Sequence, residues 1–236
     1  MAQSHAELPE PTLAVAPLRL AAGLIQGVAV WLLIDADKHL HWPATAPALN
    51  AALVLTCAYV PLIVIGGLGR IRAVPLTAWA ALAVLALMLF GWHGVDASYV
   101  AKGDRQPELA DFPVWVLSAV FVFVGHHLVG PADQARRPLA PYSLYFDWAW
   151  KDGVQLALSL AFLGVFWGAL KLGGALFGLI GVDALNTLIA QNWFFLPVSG
   201  LVFAGAVQLT DVRVGLIRGV RTVALVLLSW LLPVLT

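Results

Sequence analysis

Ala46-Pro-Ala-Leu-Asn-Ala-Ala-Leu-Val-Leu-Thr-Cys-Ala-Tyr-Val-Pro-Leu-Ile-Val-Ile-Gly-Gly-Leu-Gly69 and Pro75-Leu-Thr-Ala-Trp-Ala-Ala-Leu-Ala-Val-Leu-Ala-Leu-Met-Leu-Phe-Gly-Trp92 are two uninterrupted apolar runs, separated by a turn that carries Arg70 and Arg72. Neither run shows the single apolar stripe of a helix lying on a soluble core. Each is apolar all round, so the solvent for these helices is lipid. A bilayer core about 30 Å thick takes about 20 helical residues, close to what each run supplies. The pair reads as two membrane spans joined by a tight basic turn.

Five further runs extend the pattern outward: Leu18–Ile34, Phe112–Gly130, Val154–Gly174, Trp193–Gln208 and Gly219–Thr236. Together they predict an all-α integral membrane protein, a polytopic helical bundle of about seven transmembrane helices. Of 236 residues, 61% are hydrophobic and 11% charged, too little charge to cover a soluble domain of this length. A net charge of zero argues against nucleic acid as a partner, because phosphate binding calls for a basic excess. The expected surroundings are the lipid bilayer and other membrane proteins. The single cysteine, Cys57, lies within an apolar run and reads as a small core residue. Residues 1–17 are polar and contain Pro9, Pro11 and Pro17 but no Lys or Arg. They read as a flexible tail ahead of a retained first helix, not as a cleavable signal, with residues 18–236 as the transmembrane domain. The last run reaches Thr236 with no polar flank, and the expectation is a helical domain that continues beyond it.

Basic residues orient the spans. Arg19, Arg70, Arg72, Arg136, Arg137, Lys151, Arg213, Arg218 and Arg221 fall on one side of the zigzag, and only Lys38, Lys102 and Arg105 on the other. The rich side is expected to be cytoplasmic, with the N-terminus inside. Lys171 falls late in the fifth span, near the outer interface, where its stem can snorkel. The tryptophans suggest an aromatic belt, with Trp31, Trp42, Trp92, Trp115 and Trp193 at outer ends and Trp79, Trp148 and Trp150 at inner ends.

Two connections look like more than loops. Pro131–Asp152 is long, aromatic and charged, and is expected to lie along the inner interface. Gly173–Asn192 stays apolar and reads as an interfacial or re-entrant segment on the outer side. Small residues four apart (Gly23 and Gly27, Gly164 and Gly168, Gly174 and Gly178) are expected to let helices approach closely, and Gln26 to hydrogen-bond across a helix interface.

Several motifs carry a family resemblance. Tyr145-Phe-Asp-Trp-Ala-Trp150, Gly153-Val-Gln155-Leu and Phe166-Trp167 resemble the characteristic region of domain-of-unknown-function family 4153. So do Trp193-Phe, Gln208-Leu-Thr-Asp211, Arg218-Gly-Val-Arg221 and Ser229-Trp-Leu-Leu-Pro233, while Gly23-Leu-Ile-Gln-Gly27 is similar to its opening helix. The resemblance covers mainly residues 142–236. It implies a multi-spanning protein of the bacterial inner membrane, usually longer than this chain. It supplies no catalytic residue, substrate or cofactor.

Two polar constellations stand out. His126, His127, Gln155, Gln208 and Asp211, with Thr210, Asp147 and Asp152 nearby, share a depth near the inner face. Intramembrane ionisable groups are costly and often line a cavity or an ion path, and histidine titrates near neutral pH. They form either a polar cavity or a set of ties between helix ends, with Asp211 against Arg213 or Arg218. The second constellation is Asp35-Ala-Asp37-Lys-His39-Leu-His41 in the first outer loop. A strand would place all four side chains on one face, and a helix would pair Asp35 with His39 and Asp37 with His41. With His93 and Asp96 they offer carboxylate and imidazole ligands for a divalent transition metal, the alternative being a solvated loop. No phosphate-binding loop, G-x-S-x-G or H-E-x-x-H motif occurs, so no catalytic or cofactor-binding residue is predicted.

Three functions fit this pattern. The first is a structural or accessory inner-membrane protein, not an enzyme. The second is a proton-coupled or pH-sensitive transporter or channel using the inner polar cluster. The third is a metal-binding envelope protein or enzyme using the outer loop.

Overall fold

A computed structural model describes residues 13–102 and 111–212. A 3-10 turn at Leu13–Val15 leads into α1 (Ala16–Lys38), α2 (Pro47–Gly67), α3 (Ala73–Lys102), α4 (Phe112–Ala135), α5 (Tyr142–Leu179), the short α6 (Ala184–Ile189) and α7 (Asn192–Val212). All but α6 are long and apolar enough to cross a membrane, which makes six candidate spans. The described residues contain no strand. The chain is an all-α, multi-pass membrane protein. The run Gly219–Thr236, together with Arg213, Arg218 and Arg221, lies outside the described residues.

Prolines open several helices. Pro17, Pro47 and Pro113 sit in the first turns of α1, α2 and α4, where the missing N–H has no intrahelical partner to lose. Helix therefore begins at Ala16, slightly inside the stretch expected to be a tail. Successive long helices run back and forth, so the start of α1, the turn between α2 and α3, the link between α4 and α5, and the end of α7 meet at one end of the bundle. Cross-helix ion pairs join all of these regions (below). We call this the basic end.

α1 packs along α7 and α2, α2 and α3 form a tight pair, α4 leans on both of these, and α5 packs mainly on α7. Close approach of α1 and α7 depends on glycine. A Cβ at Gly23 would run into the Gly200 carbonyl, and one at Gly27 into Leu196 and Pro197. Gln26 beside them donates to the Ala58 carbonyl of α2 at 2.7 Å, as expected. The Gly164–Gly168 pair behaves otherwise. Nothing lies within 4 Å of a Cβ built at either, so among the described residues this small-residue face of α5 has no packing partner.

α5 is turned as lipid requires. Trp148, Lys151, Gln155, Ser159 and Trp167 face the bundle, whereas Leu160, Phe162, Val165 and Leu172 face out. At 38 residues it is about 57 Å long, well beyond the membrane core. It begins at Tyr142, so the second half of the stretch expected to lie along the interface is the first turns of a span, and its start is the last turn of α4. The reason is Trp148. Its ring is fully buried, its indole N–H donates to Gln134 Oε1 at 2.6 Å, and the Arg70 guanidinium lies 4.2 Å from the ring centroid. Trp79 is also core, tilted against Phe121 and seated on Gly125. At the other end Trp42, Trp92 and Trp193 are more than half exposed, whereas Trp31 is half-buried, Trp115 packs against the core, and Trp79 and Trp148 are core. At that other end α5 runs on to Leu179, turns at Gly181 (φ +81°) and folds back through α6. Asn186 of α6 donates to the Gly174 carbonyl at 3.0 Å, which leaves no room for a Cβ at Gly174.

Candidate functional site

The inner polar constellation resolves into two adjoining clusters at the basic end. In the first, Arg19 of α1 and Asp211 of α7 form a 2.6 Å ion pair with both side chains fully buried. Arg19 also donates to Gln208 Oε1 at 2.9 Å and to the Leu68 carbonyl at 2.6 Å. Lys151 of α5 approaches the second Asp211 oxygen at 3.5 Å. Asp211 is therefore held by Arg19 and Lys151, across three helices; Arg213 and Arg218, the partners expected for it, lie outside the described residues. Thr210 is turned back on its own helix, donating to the carbonyls of Ala206 and Val207.

The second cluster lies on α5's other side. Asp152 accepts from Arg70 at 2.6 Å, and its second oxygen is 3.3 Å from His127 Nε2. The other His127 nitrogen, Nδ1, lies 2.7 Å from the Phe123 carbonyl one turn back. Gln155, one turn along α5, donates to the Val207 carbonyl of α7 at 3.0 Å. Asp147 is exposed and belongs to neither cluster. Beside them Arg72 grips Asp133 through its backbone N–H (2.9 Å) and its guanidinium (2.6 Å), tying α3 to α4.

His126 differs from the ion-paired groups of these clusters. It is buried, yet neither ring nitrogen has a hydrogen-bond partner. Gly66 of α2 makes room for the ring, with its Cβ position 3.5 Å from Nε2. The imidazole lines a cavity of about 280 Å³ between α2, α4, α5 and α7. Its floor is Arg70, His126, His127, Asp152 and Gln155, and its walls are apolar, among them Ile63, Val122 and Phe203. Trp148 against Gln134 and Gly130, and Asp152 against His127, bring α4 and α5 together near the floor. Beyond it α4 keeps to α2 and α3 (Tyr59 donates to the Trp115 carbonyl, 2.9 Å), while α5 keeps to α7 (Trp167 donates to Ser199 Oγ, 3.0 Å).

Of the predicted residues, His126, His127 and Gln155 line the cavity, whereas Gln208 and Asp211 belong to the Arg19 cluster. Arg19, Arg70 and Lys151 read in the sequence only as orientation signals, yet they are the cationic halves of both clusters. For Arg19 a signal existed: it follows the first residue of an apolar run, where a cation is costly without a partner.

The outer constellation is a helix end. Asp35 and Asp37 lie in the last turns of α1. Asp35 pairs with His39 at 3.6 Å, as helical spacing predicts, but Asp37 receives Asn50 at 3.5 Å in place of His41. His39 and His41 stack with centroids 6.1 Å apart. His93 and Asp96 are exposed on α3, which continues through the region expected to be a loop. Among the described residues no three His, Cys, Asp or Glu side chains converge as a metal site would require.

Comparison with protein-family models, with curated proteins and with solved structures finds no match for this chain.

Proposed function

We propose that this chain is a structural or accessory protein of the bacterial inner membrane. In this reading the basic end and the N-terminus are cytoplasmic, and the relatives are proteins of domain-of-unknown-function family 4153. The observation that carries the reading is the pairing of charges at the basic end. Arg19 with Asp211 joins α1 to α7, and Arg70 with Asp152 and Arg72 with Asp133 join the α2–α3 turn to α5 and α4. An ion path needs groups that exchange partners, whereas these ties hold helices in register. The concentration of Lys and Arg at this end supports the orientation.

The accessory part rests on α5. Its open Gly164–Gly168 face is the kind of surface against which a helix of another membrane protein can come close. A photocrosslinking residue at position 168, compared with one at the exposed Leu160, tests this in native membranes. A discrete adduct with a second membrane protein from position 168 alone is expected. Repeated recovery of the uncrosslinked chain from both positions overturns the accessory role.

A second reading, a proton-coupled or pH-sensitive transporter, is favoured by one observation: His126 faces a cavity with both nitrogens unpartnered, next to Arg70, His127 and Asp152. Under it, replacing His126 and His127 abolishes a pH-dependent flux in proteoliposomes. Unaltered flux sinks it.

A further inference from the structure

A groove opens on the surface of the basic end, between the start of α3 and the last turns of α4. Arg72 and Pro75 line one side, Leu128 and Val129 the other, and Arg136 and Arg137 of the α4–α5 link stand beyond them. Its volume, about 680 Å³, is within the range of ligand sites.

Three guanidiniums meet a single carboxylate here, and that carboxylate is already engaged. Asp133 accepts from the Arg72 backbone N–H at 2.9 Å and from Arg72 Nε at 2.6 Å, and its side chain is only 5% exposed. Arg72 itself still has a side chain 58% exposed, with Nη1 outside that pair. Arg136 and Arg137 are exposed, and among the described residues neither side chain has a hydrogen-bond or ion-pair partner. The groove therefore holds two uncompensated positive charges whose donors are open to an incoming group.

The backbone adds a second observation. Arg136 is the C-cap of α4 and lies in the left-handed region, at φ +51° and ψ +37°. Glycine is the common residue in that conformation at a helix end, because it has no Cβ to strain. Arginine here places a cation at the groove where glycine would fold more easily.

The apolar wall decides between a soluble anion and a lipid. From Arg136 back to Leu128 is eight residues, about 12 Å along α4. Leu128 is 54% exposed on a helix that crosses the membrane, so this part of the wall faces lipid. A small anion would satisfy the arginines and leave that wall to other molecules. A phospholipid in the leaflet at the basic end meets both, with its phosphate level with the arginines and its upper chain beside Leu128. The guanidinium fork matches two phosphate oxygens, and basic pockets between helices at this depth suit anionic headgroups.

We propose that this groove binds an anionic phospholipid, its phosphate held by Arg72, Arg136 and Arg137 and its upper acyl chain against Leu128 and Val129. The net positive charge selects phosphatidylglycerol over phosphatidylcholine, whose choline offsets its phosphate.

The test uses the full chain in phosphatidylcholine nanodiscs with a trace of photoreactive phosphatidylglycerol or phosphatidylcholine, each carrying a diazirine high on one acyl chain. The ratio of phosphatidylglycerol to phosphatidylcholine labelling should be highest in the α4 peptide around Leu128. It should exceed the ratio at the start of α5 around the exposed Phe146, at the same end of the bundle. Arg136→Gly and Arg137→Gln should each lower the α4 ratio about fivefold, the scale of one arginine at an anionic surface. Arg136→Gly should do so with no loss of unfolding stability, since glycine suits the left-handed turn. Arg72 is left in place because it ties α3 to α4. Three results overturn the proposal. One is an equal ratio at the ends of α4 and α5, and another is an α4 ratio unmoved when both arginines are replaced. The third is displacement of the lipid probe by inorganic phosphate beyond that by sodium chloride at equal ionic strength, which marks a site for a soluble anion.

Discussion

Lys151 and Asp152 are neighbours on α5, yet the first turns to Asp211, at 3.5 Å, and the second to Arg70, at 2.6 Å. Successive residues on a helix point about 100° apart, so one turn of α5 can serve two sides of the bundle. One side gathers α1 and α7, and the other the α2–α3 turn and α4. The two contacts differ in what their loss leaves behind. With Asp152→Asn, Arg70 keeps a buried charge without its carboxylate, and a loss of about 3–5 kcal/mol is expected. With Lys151→Met, Asp211 still has Arg19, so the loss should be under about 1 kcal/mol, in the range of weak ion pairs. Reversible unfolding in mixed micelles compares them, and equal losses contradict this division.

Two glycine pairs with the same spacing should respond oppositely to an added methyl. Gly23→Ala and Gly27→Ala force a Cβ against the α7 backbone and should each cost about 1–3 kcal/mol. Gly164→Ala and Gly168→Ala meet nothing among the described residues and should stay within about 0.5 kcal/mol. The same unfolding assay reads both pairs. A costly Gly168→Ala would instead mean that a further helix covers that face.

This contrast marks how far the sequence alone could reach. The number and order of described spans were legible, because apolar length and a zigzag of basic ends are properties of each segment by itself. Rotation of each helix about its axis was not legible, because a run apolar on every side carries no stripe to orient it. That is why Gly23 and Gly164 look alike in sequence, and why Arg19 reads as a flank marker while its guanidinium points into the bundle. Trp148 was obscure for a related reason. A tryptophan among charges has the composition of an interface, and only the positions of Gln134 and Arg70 show that it is core. The inner site was legible as a depth, with His126, His127, Gln155, Gln208 and Asp211 at one level, but not as two clusters facing different ways.

Orientation is open to a direct check. In a Cys57→Ser background, Pro138→Cys in the α4–α5 link should react with a membrane-impermeant maleimide only in inverted vesicles. Leu179→Cys, 83% exposed at the far end of α5, should react only from the outside. The reverse pattern inverts the bundle and removes the cytoplasmic assignment.

The outer Asp/His turn is expected to carry no bound metal. Asp35 is engaged with His39 and Asp37 with Asn50, so the four side chains do not converge. Purified protein equilibrated with Zn²⁺ and desalted should retain the same metal content as the His39→Ala, His41→Ala double variant. A stoichiometric zinc lost only in that variant would restore the metal-binding reading.

The central claim, that charges at the basic end tie helices together, turns on Arg19 and Asp211. The most direct measurement is a double-mutant cycle of unfolding free energies with Arg19→Met, Asp211→Leu and the pair combined. Asp211→Leu leaves the buried Arg19 without a carboxylate, and Arg19→Met leaves Asp211 only Lys151 at 3.5 Å; each should cost about 3–5 kcal/mol, while the double variant should regain more than half of the summed loss. Strictly additive losses, or single variants as stable as the parent, contradict the claim.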